Sequence, residues 1–334
     1  MTDRSFSIIV PVYNRPGEVK ELLESLILQD DKDFEVIIVE DGSIDTCEDV
    51  VKSYSDKLKI QYFYKLNEKP SIARNYGIER ASGNYYLFFD SDCILPSSYI
   101  STMKKALQQS YADAYGGPDA AHPSFSNLQK AISDAMTSFF TTGGIRGGGE
   151  KMGKFYPRSF NMGISDEVIQ KTGGFPITKM HPGEDMVLSI EIIRNSFTTR
   201  LIREAFVYHK RRTTLKQFYN QVYRFAKTRV IMSKIYPETF KIFFVFPTLF
   251  VLGSFLLIAM SIFNWLFITP LLLFVVMIFF ESLIRNKNAG VAFLSIVTAS
   301  VQLFAYGWGF LKTFIEVFIL KKDEFDVFSK PFYA

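Results

Sequence analysis

Two aspartates separated by one residue, Asp90 and Asp92, close an apolar, aromatic run that reads N-Y-Y-L-F-F-D-S-D-C-I-L over Asn84–Leu95. Paired carboxylates of this kind ask for a cationic partner. Mg²⁺ or Mn²⁺ takes one or two carboxylates and completes its shell with phosphate oxygens and water. The pair therefore points to a divalent cation carrying phosphates. A solvated turn or a helix-capping acid pair would use the same residue types, and D-x-D alone does not separate the readings. Position raises the cation reading: Tyr85–Phe89 is too short for a helix and apolar throughout, as expected of a strand buried on both faces. The carboxyl end of such a strand is where open α/β sheets place ligands.

The elements that must position these acids follow from the flanking pattern. Phe6–Val12 predicts a strand, Tyr13–Pro16 a turn, and Gly17–Gln29 a helix with Pro16 at its first position. Phe34–Val39 predicts a second buried strand, Asp45–Ser55 a helix, Leu58–Tyr64 a third strand, and Ser71–Ala81 a helix. Strands alternating with short helices indicate an α/β unit with a parallel sheet. Neither G-x-G-x-x-G nor a P-loop is present, which disfavours a dinucleotide fold and an NTPase. Further on, Ser97–Gln109 and Phe125–Thr141 read as helical and Asp113–Gly117 as a short strand. Gly143–Gly153 holds six glycines in eleven residues and reads as a linker or an active-site loop. Arg158–Ser165 leads into a helix ending at Gly173-Gly174-Phe175, and Glu184 and Asp185 open the helix Met186–Asn195 at its positive end.

Composition changes in the last third. Nine basic residues and one acid lie between Lys210 and Lys241, with Phe218, Val222, Phe225 and Ile231 spaced for one helical face. This predicts a basic amphipathic helix on an anionic membrane surface. Residues 242–280 then contain no Asp, Glu, Lys or Arg over 39 positions. One crossing takes about 20 residues, so two spans are expected, breaking near Asn264-Trp265 or Pro270. Arg285 and Lys287 follow, as on a return to the cytoplasm. Asn288–Leu311 is a further uncharged stretch. A third crossing would put Lys321 and Lys322 outside, against the positive-inside rule, so three spans stand against a re-entrant or interfacial third segment. Net charge is only +4, which gives no reason to expect nucleic acid. The two cysteines, Cys47 and Cys93, lack metal or disulfide spacing and fit a reducing compartment. The opening M-T-D-R-S-F-S reads as no signal peptide, so the first domain is expected in the cytoplasm.

Several motifs occur in order: I-I-V-P-V-Y-N-R-P from Ile8, E-D-G-S at 40–43, A-R-N-Y-G at 73–77, D-S-D at 90–92, G-G-F at 173–175 and G-E-D at 183–185. Together they resemble the family 2 glycosyltransferases of the GT-A fold over about residues 6–235. Q-V-Y-R-F at 221–225 and A-Y-G-W-G-F at 305–310 look like bacterial members that build exopolysaccharide or lipid-linked glycans. Two departures stand out. The family's D-D-G-S is here Glu40-Asp41-Gly42-Ser43, and the Q-x-x-R-W of processive synthases ends in Phe225.

The resemblance implies a GT-A domain at 1–208, a Rossmann-like mixed, mostly parallel sheet flanked by helices. It would be followed by a membrane-surface segment at 209–240, transmembrane helices at 241–320 and a tail at 321–334. It implies an inverting, metal-dependent transferase in the bacterial inner membrane, its catalytic domain facing the cytoplasm. The donor would be a nucleotide-sugar, a UDP-sugar by preference, and the acceptor lipid-linked. Pro11 and Tyr13 would line the base pocket, Asp41 would accept the uracil N3–H, and Arg74 and Asn75 would face the nucleotide. Asp90 would hold the ribose or a metal-bound water, Asp92 would ligate Mn²⁺ or Mg²⁺, and His209 would add a ligand. Asp185, with Glu184 beside it, would take the acceptor hydroxyl's proton. Arg211, Arg212, Arg224 and Arg229 would grip a lipid diphosphate. Alternatives are a polyprenyl-phosphate glycosyltransferase and a non-catalytic membrane scaffold.

Overall fold

A computed structural model describes residues 4–143, 155–176 and 182–323. Most of the glycine-rich stretch 143–153 lies outside the described residues. The chain divides into two compact units: residues 1–122, 149–178 and 183–210 form one, and residues 123–148, 179–182 and 211–334 the other. Residues 123–148, expected within the 1–208 domain, group with the carboxyl-terminal part.

The first unit is built on a seven-stranded sheet. Its strands are β1 (Phe6–Val12), β2 (Glu35–Asp41), β3 (Ile60–Lys65), β4 (Tyr85–Phe89), β6 (Ala114–Gly116), β8 (Asn161–Ser165) and β9 (Thr199–Leu201), in the order β3-β2-β1-β4-β8-β6-β9. The β3-β2-β1-β4 half is parallel, and β8 runs antiparallel to both β4 and β6. Every residue of β4 is buried, as its composition predicts for the middle of a sheet. Alternation sends Tyr85, Leu87 and Phe89 to one face and Tyr86 and Phe88 to the other. The first face is covered by α1 (Pro16–Ile27), α2 (Glu48–Lys52) and α4 (Tyr99–Gln109). The second is covered by α3 (Pro70–Ile78), α7 (Asp166–Thr172) and α8 (Glu184–Arg194). Each fully buried large apolar side chain contributes about 1.5–3 kcal/mol, so the two layers hold β4 and its carboxyl end rigidly.

A second, three-stranded sheet joins β5 (Cys93–Ile94), β10 (Val207–His209) and β7 (Asp119–Ala120) in the order β5-β10-β7. Some elements differ from the sequence reading. β8, N-M-G-I-S, has no strong strand formers beyond Ile164 and becomes a strand because β4 and β6 flank it. The helix expected over Asp45–Ser55 shrinks to α2. Asn14 Oδ1 accepts from the Ile44 and Asp45 N–H groups, and Glu40 Oε2 accepts from that of Cys47, which holds the entry in a loop.

The second unit contains α5 (Asn127–Thr137), α6 (Phe139–Thr142), α9 (Leu215–Ile235), α10 (Phe246–Ser261), α11 (Thr269–Asn286) and α12 (Ala289–Phe314). Three helical stretches are long and apolar enough to cross a membrane by length and composition: Ile242–Ser261, Trp265–Asn286 and Ala289–Ile319. They support membrane association, and the break falls at Asn264-Trp265 as expected. The apolar face of α9 is a correction to the sequence reading. Phe218 and Val222 pack on Ile132, Ala135 and Met136 of α5 and on Ala305 of α12, so protein rather than lipid covers that stripe.

Candidate active site

The site is built at the carboxyl end of β4. The sheet stops at Phe89, and Asp90 is the first side chain beyond it. Asp92 and Cys93 lead into β5, whose partner is β10 in antiparallel register, His209 opposite Cys93. The Lys210 N–H donates to the Asp92 carbonyl at 3.0 Å, closing this junction. His209 Nε2 therefore lies 3.0 Å from Asp92 Oδ1, although the two residues are far apart in sequence. The imidazole stacks on Phe160 with ring centroids 5.0 Å apart. Its Nδ1 is buried, with no hydrogen-bond partner among the described residues.

The donor set can be tested against a divalent cation. One ligand atom each from Asp92, Cys93 and His209 lie within 4.8 Å of one another. The carboxylate suits Mn²⁺ or Mg²⁺, with water and phosphate oxygens to complete the shell, and the imidazole favours the softer Mn²⁺ of the two. The Cys93 thiol suits them poorly. It donates to the Phe160 carbonyl at 3.4 Å, and burial, with the charges of Asp92 and Asp90, pushes it well above its ordinary range. The residues present thus fit a hard cation held by Asp92 and His209, with Cys93 outside the ligand set.

Arg74 takes a place that the motif did not predict. Its side chain is 4% exposed, with Nη2 2.9 Å from Asp90 Oδ1 and Nη1 3.3 Å from Glu184 Oε1. It ties α3 to the end of β4 and to the first residue of α8. Glu184 Oε2 also accepts from the Gly183 N–H at 3.0 Å. Asn75 is likewise turned inward. Its amide accepts from the Phe175 N–H and donates to the Phe175 carbonyl, both at 2.8 Å, fixing the G-G-F turn. Asp185, next to Glu184, is partly exposed, with Arg158 Nη1 and the Ser159 N–H each 3.4 Å away.

On the β1–β2 side, Pro11 and Tyr13 are partly exposed. Asp41 is buried and accepts from Lys65 Nζ and from the Glu68 and Lys69 N–H groups, all at 3.0 Å. A carboxylate offers about four lone-pair positions, so one remains for a further donor. Glu40, the departure from D-D-G-S, is fully buried and accepts from Ser43 Oγ, the Cys47 N–H and Tyr62 OH. Residue type alone missed Arg15. It sits in the Y-N-R-P turn, and its Nη1 lies 2.5 Å from Asp92 Oδ2. A basic residue just before the Pro16 that opens α1 was the signal available for it. Arg211, Arg212, Arg224 and Arg229 belong to the second unit, where Arg211 is buried and the Arg229 guanidinium lies 4.4 Å over the Phe244 ring.

With the geometry in place, comparison with known proteins identifies the domain. A model described as glycosyl transferase family 2 matches residues 7–169. The chain carries a family 2 glycosyltransferase domain. The match covers β1 to α7 and includes both D-S-D acids. The mixed, mostly parallel sheet with flanking helices is the GT-A architecture that the motifs predicted. The family 2 domain of this chain is similar to GalNAc(5)-diNAcBac-PP-undecaprenol beta-1,3-glucosyltransferase of Campylobacter jejuni, 35% identical over 113 residues, which are 33% of this chain and 37% of that protein. It is also similar to glycosyltransferase GlyA of Streptococcus pneumoniae, 36% identical over 114 residues, 34% of this chain and 16% of that one. The match thus spans well under half the length of these relatives. Among solved structures, the mannosyltransferase PcManGT from Pyrobaculum calidifontis in complex with GDP-Man and Mn²⁺ shares the fold. Its TM-score is 0.62 at 18% identity, covering 93% of this chain and 88% of that one.

Proposed function

We propose that the chain transfers a sugar, with inversion, from a nucleotide-sugar to a lipid-linked acceptor at the cytoplasmic face of a bacterial inner membrane. The observation that carries this reading is Arg74, which pairs with Asp90 of D-S-D and, 110 residues further along the chain, with Glu184 of G-E-D, and so gathers the donor-side and acceptor-side acids at one strand end. A lipid-linked acceptor is supported by the apolar helices and by the undecaprenol-linked acceptor in the name of the Campylobacter relative.

In this reading Asp92 and His209 hold the cation, which when bound offsets charge on the departing nucleoside diphosphate. Asp90, the more exposed of the two D-S-D acids, reaches the ribose. Asp41 has a remaining lone-pair position for the imide N–H of a uracil, and Pro11 and Tyr13 flank the base. Asp185 takes the proton from the acceptor hydroxyl as that oxygen attacks the anomeric carbon, a contribution of about 10²–10⁴ in rate for a positioned base. Glu184, paired with Arg74 and the Gly183 N–H, orients the start of α8 and so aims Asp185.

The test is nucleoside diphosphate release by membranes containing the chain. A panel of UDP- and GDP-sugars is supplied with lipid extract, with Mn²⁺ or Mg²⁺ and then with EDTA. Release from one donor, abolished by EDTA and reduced at least a hundredfold in Asp185→Asn, is expected. Unchanged turnover in Asp185→Asn would remove it as the base, and turnover in EDTA would remove the cation.

A further inference from the structure

The third apolar helix is packed differently from the other two. Along one side, Val301, Ala305 and Tyr306 of α12 share a cluster with Phe218 and Val222 of α9 and with Ile132, Ala135 and Met136 of α5. Further along, Phe310 meets Ala226 and Val230 of α9. Thr298 Oγ1 donates to the Ala131 carbonyl of α5 at 2.8 Å. Helices α9 and α12 thus run side by side in the same direction, residues 218–230 against 301–310. α9 carries Lys216, Arg224, Lys227, Arg229 and Lys234. If α12 crossed the bilayer, α9 would be carried into hydrocarbon with it, where charged side chains are strongly disfavoured.

The contacts of α12 with α10 and α11 point the same way. Against α11 it meets the last turns: Ser295 Oγ lies 2.8 Å from Ser282 Oγ, and Phe293 packs on Phe279. Against α10 it meets the first ten residues: Thr248 Oγ1 donates to the Gly307 carbonyl at 3.1 Å, and Phe304 packs on Phe250 and Phe255. A Cβ at Gly307 would come 2.4 Å from the Pro247 carbonyl oxygen, so the approach there requires glycine. The start of α10 and the end of α11 are the same edge of one hairpin. Between Ser295 and Gly307 the helix advances about 18 Å, passing across that edge instead of returning along α11 toward Thr269.

The remaining face of α12 is apolar and open. Val297 and Trp308 of α12, with Ile315 and Ile319 of the turns that follow it, recur at helical spacing and are exposed, Trp308 by 51%. Helix α12 with its last turns has 31 residues, about 46 Å, well beyond the roughly 30 Å hydrocarbon core. We infer that α12 lies in the plane of the membrane surface with this stripe in the headgroup–acyl boundary. The bilayer is then crossed, among the described residues, by the α10–α11 hairpin. Lys321 and Lys322 stay on the same side as Arg285 and Lys287, which removes their conflict with the positive-inside rule. The inference rests on the membrane reading of the three apolar helices.

The test labels single introduced cysteines in intact cells with a membrane-impermeant maleimide, using Asn264→Cys in the α10–α11 turn and Lys322→Cys after α12. Cys47 and Cys93 are buried, and the unsubstituted chain provides the background. Labelling of Asn264→Cys from outside, with Lys322→Cys labelled only in inverted vesicles, is expected. Labelling of Lys322→Cys from outside would overturn the in-plane placement while leaving the membrane reading intact. Failure to label Asn264→Cys from outside while it labels in inverted vesicles would overturn both. A second readout places Trp at Val297, with Trp265 and Trp308 replaced by Phe, in vesicles of brominated phospholipids. Strongest quenching by bromines near the headgroups supports the in-plane helix, and strongest quenching at the bilayer centre overturns it.

Discussion

Arg15 and His209 address opposite oxygens of one carboxylate: Arg15 Nη1 is 2.5 Å from Asp92 Oδ2, and His209 Nε2 is 3.0 Å from Asp92 Oδ1. A cation binding Asp92 competes with the guanidinium, whose side chain is 33% exposed. Arg15→Ala is therefore expected to tighten Mn²⁺ binding in the absence of nucleotide. A partly exposed pair is worth about 1 kcal/mol, or about fivefold in affinity. Electron paramagnetic resonance of free Mn²⁺ titrated with purified protein measures this, and equal affinity for both proteins would refute the competition.

Arg74 has a different status from Arg15, because it is buried and serves two acids. Arg74→Ala leaves Asp90 and Glu184 without their common cation. Removing one partner from such a buried pair costs about 3–5 kcal/mol. Arg74→Lys is not expected to restore it, since one ammonium does not reproduce the forked geometry that reaches both carboxylates. Unfolding midpoints of the detergent-solubilised chain check both substitutions, and wild-type stability in Arg74→Lys would argue against the bridge.

Asn75 and Gly174 form one device. Gly174 has φ +82°, and a Cβ there would lie 2.6 Å from Asn75 Oδ1. Asn75→Ala loses both hydrogen bonds to Phe175 and is expected to destabilise the domain by about 1–3 kcal/mol. Gly174→Ala adds backbone strain to the same loss of fit. UDP affinity, measured by calorimetry below the unfolding range, is expected to be unchanged in Asn75→Ala. A large loss of affinity at wild-type stability would return Asn75 to the nucleotide.

Glu35 makes acid stability testable away from the site. Burial pushes its carboxyl up, but hydrogen bonds from Ser7 Oγ and from the Ser82 N–H and Oγ, with Lys59 nearby, outweigh burial and hold it below its ordinary value. A carboxyl with a lower pKa in the folded state stabilises fully above its unfolded value, about 4.5. That stability is lost as pH falls through the folded value. Glu35→Gln is thus expected to lower stability at pH 7 and to flatten its decline below about pH 4.5. Parallel pH profiles for the two proteins would refute the assignment.

Local chemistry made much of this protein readable in one dimension. The all-apolar run Tyr85–Phe89 is a mid-sheet strand because only burial on both faces satisfies five consecutive apolar side chains. Pro16 opens α1 because its fixed φ suits a first helical turn. The charge-free stretch from Ile242 becomes long apolar helices because only hydrogen-bonded helices can bury so much backbone in an apolar setting. The ordered acids placed the domain in its family.

What tertiary structure decided is the partner of each functional side chain. β8 is a strand because its neighbours complete its hydrogen bonds, and no propensity in N-M-G-I-S demands it. His209 reaches Asp92 because β10 pairs with β5, Arg74 bridges Asp90 and Glu184 because α8 begins beside it, and the apolar face of α9 is covered by α5 and α12. Strand and helix formation depend on residues a few positions apart, which a sequence displays directly. Ion pairs, metal ligands and the covered face of a helix depend on segments separated by up to more than a hundred residues, brought together by the burial of the sheet and helix faces between them.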